Sequence, residues 1–86
     1  MPQISSFLGI IIRMFYRDHN PPHFHAVYSD FEGIIDIEKN DLISGELPPR
    51  VLGIVIEWTA LHQSELMENW ERARQQEPLL DIEPLV

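Results

Sequence analysis

His23-Phe24-His25-Ala26-Val27-Tyr28-Ser29-Asp30-Phe31-Glu32-Gly33-Ile34-Ile35-Asp36-Ile37-Glu38 is the stretch whose reading decides the fold. Its two arms, His23 to Tyr28 and Gly33 to Glu38, are rich in apolar and aromatic residues. Between them Ser29-Asp30-Phe31-Glu32 offers a hairpin turn. With Tyr28 set opposite Gly33, Ala26 faces Ile35 and Phe24 faces Ile37, a mostly apolar face suited to packing on a helix. The other face then pairs Val27 with Ile34, His25 with Asp36 and His23 with Glu38. Both imidazoles fall opposite carboxylates in this register.

Outward from the hairpin, Leu8 to Tyr16 reads as a further strand, central in the sheet. Pro21-Pro22 lacks backbone donors and marks a break before His23. Asp41 to Ser44 adds a short fourth strand, and Gly45 begins a loop. Pro48-Pro49 introduces a helix from about Arg50 to Gln76, proline being tolerated in a first helical turn. At 100° per residue, Val51, Val55, Trp58, His62, Leu66, Trp70 and Ala73 share one face, with Glu57, Ser64, Glu68 and Glu71 opposite. Such a helix is ~40 Å long, longer than a small sheet is wide, so its last turns overhang or meet a partner. Pro78 ends it. The expected fold is α+β: a three- or four-stranded antiparallel sheet packed on one long C-terminal helix. Residues 1–78 form the domain and 79–86 an apolar-acidic tail.

Composition narrows the function. The 86 residues suffice for one core, and the absence of cysteine excludes disulfides and thiolate metal sites. No apolar run approaches the ~20 residues of a membrane span. The first residues lack the pattern of a secretory signal, so a cytoplasmic location is expected. The net charge of −8 argues against general nucleic-acid binding, which relies on Lys and Arg. The charge is uneven: Arg13 and Arg17 make the histidine-bearing part mildly basic, and the acidic remainder suits a basic protein partner.

Three of the four histidines lie in Asp18-His19-Asn20-Pro21-Pro22-His23-Phe24-His25. Alternate strand positions project the same way, so His23 and His25 can share a metal such as zinc or act with Asp36 and Glu38 as general acids and bases. The same four residues also read as two surface ion pairs without a task. His19 completes a three-histidine metal site with His23 and His25 if the Pro-Pro segment folds back. Asp18 either caps the turn or joins the site. His62, on the helix's apolar face near Glu65 and Asn69, reads as a core histidine held by one partner. In this register it faces away from His23 and His25. No nucleophile-elbow or phosphate-cradling glycine pattern occurs.

Several segments together resemble one bacterial family, the domain of unknown function numbered 4160. They are Ile4 to Ile10, Arg13-Met14-Phe15-Tyr16, Asp18 to His25, Gly45-Glu46-Leu47-Pro48, and Glu57 to Leu66 with Asn69-Trp70. The resemblance implies a component of a two-gene module in the style of a toxin–antitoxin pair, encoded beside a second small protein. The expected function is therefore binding of that neighbour-encoded partner through the acidic helix or tail, with an open histidine-bearing sheet face. A second copy of the chain is another partner to consider. The alternatives are a small metal- or histidine-dependent nuclease and a non-catalytic metal-binding module.

Overall fold

The computed structural model describes residues 2–86. Five antiparallel strands form a meander in chain order: β1 (Gln3–Phe7), β2 (Ile10–Arg13), β3 (His23–Tyr28), β4 (Phe31–Asp36) and β5 (Asp41–Glu46). Two helices follow, α1 (Pro49–Leu61) and α2 (Gln63–Arg74). The sheet thus has five strands where three or four were expected. The single long helix is replaced by two.

The added strand is β1. Leu8 and Gly9 both take positive φ, 53° and 79°, and close a two-residue turn between Phe7 and Ile10. The strand read from Leu8 onward therefore starts at Ile10. A register shift between Gln3 and Ser5 turns both Ile4 and Ser5 inward, so β1 lacks the plain alternation that marks a strand.

The central hairpin also turns more tightly than expected. Tyr28 pairs with Phe31 across the two residues Ser29-Asp30, with Ser29 at φ 52°. Every pair is displaced by two residues: His23 faces Asp36, His25 faces Ile34, and Ala26 faces Gly33. Because the side-chain period is also two, the faces survive and only the partners change. Glu38 leaves the ladder, and Glu32 enters it opposite Val27.

The apolar face of the sheet carries Ile10, Ile12, Phe24, Ala26 and Ile35, all fully buried against Val55, Trp58 and Leu66 of the helices. Phe24 meets Trp58 edge-on at 5.9 Å. Of the expected helix face, only His62 is not buried. It takes φ −128°, ψ 25°, ending α1 and preceding α2. A straight helix of ~40 Å would exceed the longest molecular extent, 33 Å. The bend keeps both halves on one core. The Thr59 hydroxyl donates to the Val55 carbonyl at 2.7 Å, a back-bond that favours such bends.

The C-terminal residues lie along β1. The Ile82 amide donates to the Ile4 carbonyl at 2.8 Å, and Ile82 is buried. The Trp58 indole donates to Glu83, and the Asn69 amide group both donates to and accepts from the Leu80 backbone.

Candidate functional site

The site forms where the loop after β2 meets the start of β3. Pro22 immediately precedes the strand, and the Ile37 amide donates to its carbonyl at 3.0 Å, tying the Pro-Pro turn to the end of β4. His23 and His25, alternate residues of β3, project on one side with ring centroids 5.6 Å apart. The Asp18 carboxylate reaches over them from the loop. Its Oδ2 lies 2.9 Å from His23 Nε2 and 3.8 Å from His25 Nε2.

The other nitrogen of each ring is also engaged. His23 Nδ1 lies 2.7 Å from the Pro21 carbonyl oxygen, and His25 Nδ1 lies 2.8 Å from Glu32 Oε2. Both outer partners are acceptors, so each Nδ1 carries its proton as the donor. Each Nε2 then points inward, toward a shared carboxylate oxygen. For His23, Nε2 then faces the Asp18 carboxylate at hydrogen-bond distance, an arrangement that a cation between the two would also satisfy.

Packing fixes the rings further. Phe15 meets His25 edge-on at 4.4 Å, and the Trp70 indole lies 5.2 Å from His23. His23 is 5% exposed, whereas the His25 side chain retains 15%. Burial of Asp18 works to raise its pKa. The backbone N–H of His19 and the neighbouring His23, acting by charge and hydrogen bond, outweigh it and hold the carboxyl below its ordinary value.

One ligand atom each from Asp18, His23 and His25 fall within 4.8 Å of one another, making the set a candidate cation site. His19 stands at its margin: its Nδ1 lies 3.0 Å from Asp18 Oδ1, and its side chain is 89% exposed. Asp36 lies across from His23 in the ladder, but its buried carboxylate accepts the Lys39 amide at 2.9 Å. Glu38 is exposed and lines a separate depression with Ile37, Gln63, Ser64 and Met67. His62 pairs with Glu65 through Nδ1 at 2.6 Å and packs 5.4 Å from Trp58, apart from the cluster. Glu32 was read as a turn residue. No turn dipeptide placed it beside His25, because Ser29-Asp30 closes the hairpin in two residues with a non-glycine side chain at positive φ.

A hollow of about 270 Å³ opens beside the cluster, bounded by Asp18, His19, Pro21, His23, His25, Ile34, Ile43 and Ser44. Fold and site together define a small α+β domain with two histidines and a carboxylate converging at one end of its open sheet face. The chain belongs to the family described as a domain of unknown function, DUF4160, which residues 9–71 match. No curated protein and no solved structure matches it. Among the described residues, no helix is long and apolar enough to cross a membrane.

Proposed function

We propose that this chain is a metal-binding domain in which Asp18, His23 and His25 hold a divalent transition-metal ion, zinc being well suited to the donor set. One observation carries the reading: both Nδ1 atoms are held by outer acceptors while both Nε2 atoms converge on one oxygen of Asp18. Outer acceptors of this kind orient metal-ligating histidines and raise their basicity. With three protein ligands, a fourth coordination position would be left for water or another ligand, the arrangement that zinc hydrolases use to activate water.

Calorimetric titration of zinc tests this. The expected result is one site per chain, abolished by His23→Ala with His25→Ala and strongly weakened by Asp18→Ala. No heat of binding at micromolar zinc, or binding that survives the double substitution, would overturn it.

A second reading concerns another surface. The tail exposes Leu80 and Val86 among Glu77, Asp81 and Glu83, an apolar-acidic strip that supports docking of a basic, neighbour-encoded protein in a toxin–antitoxin-like module. Co-expression with the adjacent gene product tests it. Co-purification lost on Leu80→Asp with Val86→Asp is expected; unaffected co-purification would remove this surface from the interaction.

A further inference from the structure

The walls of the hollow restrict what can complete the coordination of an ion held by Asp18, His23 and His25. Besides these three residues the hollow is lined by His19, Pro21, Ile34, Ile43 and Ser44. No lysine or arginine lines it. Of the basic residues, Arg17 donates to Gln76, Arg72 pairs with Glu68 and Arg74 pairs with Glu71. Arg13 is the cross-strand neighbour of His25 on β2, the side away from β4 and β5 that carry Ile34, Ile43 and Ser44.

The local charge points the same way. Asp18 faces both Nε2 atoms and Glu32 faces His25 Nδ1, so these two carboxylates already balance a divalent ion. The whole chain carries −8. A phosphate entering the hollow would bring further negative charge with no lysine or arginine in the walls to receive it. An uncharged group meets no such penalty, and its apolar part can lie on Ile34 and Ile43.

Resting on the metal-binding reading, we infer that the hollow takes an uncharged oxygen ligand, a carbonyl or hydroxyl compound with a small apolar substituent, and not a phosphate ester. Ser44 supplies a hydroxyl for orientation, and Ile34 and Ile43 supply the apolar contact.

Cobalt-loaded protein provides the test, because the visible spectrum of the ion reports a change of ligand without any activity. Acetamide, a carbonyl compound with a small apolar substituent that does not ionise near neutral pH, and inorganic phosphate are titrated separately against it. Acetamide should shift the spectrum saturably, and phosphate should bind at least about tenfold more weakly. Ile43→Lys, a change at an exposed position, should improve phosphate affinity by about tenfold or more, with Ile43→Gln showing no such gain. Phosphate binding the unaltered protein as tightly as acetamide would overturn the inference, as would absence of binding by both. Phosphate binding lost on Arg13→Gln would instead assign an anion to the β2 side of His25. Failure of cobalt itself to bind would remove the underlying metal reading, an outcome distinct from all of these.

Discussion

Glu32 illustrates how a single side chain outside the proposed ligand set can govern it. Its Oε2 holds His25 Nδ1 at 2.8 Å while remaining half exposed, so its own removal leaves no buried orphan in the core. Losing this acceptor frees the tautomer and rotation of the less packed imidazole. Glu32→Ala should therefore reduce zinc affinity by about 10- to 100-fold, whereas Glu32→Gln, which keeps an acceptor oxygen, should lose less. Calorimetry reads both, and thermal melts of the metal-free variants should stay close to the parent because the position is exposed. Asp18 makes a different prediction. Its carboxyl titrates below the ordinary value in the folded chain, so its ionised form stabilises the fold at neutral pH. That contribution is present above the unfolded pKa and disappears as pH falls through the lower folded one. In chelator-treated protein, the melting-temperature gap between parent and Asp18→Asn should shrink as the buffer is taken from neutral into the acid range below that of free aspartate. A gap that stays constant would show that the charge of Asp18 does not stabilise the fold.

At the scale of elements, the site depends on backbone geometry in its flanking strands. Gly45 of β5 takes φ +77°, and a Cβ there would fall on the Glu32 carbonyl oxygen. Gly45→Ala should destabilise the domain by about 1–3 kcal/mol in urea unfolding and displace the strand that carries Glu32. It should thus weaken zinc binding as well, linking a fold position to the cluster. What the sequence revealed at this scale followed periodicity. The helix face Val51–Val55–Trp58–Leu66–Trp70–Ala73 was readable because burial repeats every 3.6 residues, and the two faces of the hairpin because they alternate. What stayed hidden came from tertiary fit and turn chemistry. The bend at His62 answers to the size of the core, not to any breaker residue. The turns at Leu8-Gly9 and Ser29-Asp30 place ordinary side chains at positive φ, and the shift in β1 hides its alternation. Of the candidate site, the juxtaposition of the His-x-His pair was legible, since strand geometry alone brings the two rings together. Asp18 required the path of a loop, and Glu32 required the register to within two residues.

Over the whole molecule, the C-terminal residues join strand edge to helix pair. Ile82 bonds to Ile4 on the outer strand β1, Glu83 receives the Trp58 indole, and Leu80 is held by Asn69 from α2. An uncovered β1 would present unpaired backbone groups to other chains, and the tail occupies part of that edge. Deleting residues 79–86 would therefore unfold or aggregate the protein as readily as it removed a docking strip. Loss of a partner on truncation could not distinguish the two. Asn69 offers a cleaner probe of the structural role, being 1% exposed and bonded to Leu80 in both directions. Asn69→Ala removes two hydrogen bonds and leaves the Leu80 amide and carbonyl without their side-chain partner. The expected cost is about 1–3 kcal/mol in global unfolding. Amide exchange at Ile82 should accelerate by more than that global loss accounts for, because the tail detaches before the sheet opens. If exchange at Ile82 instead tracks global unfolding in both proteins, the tail belongs to the same cooperative unit as the core. A partner docked on Leu80 and Val86 would then meet a surface as rigid as the sheet itself.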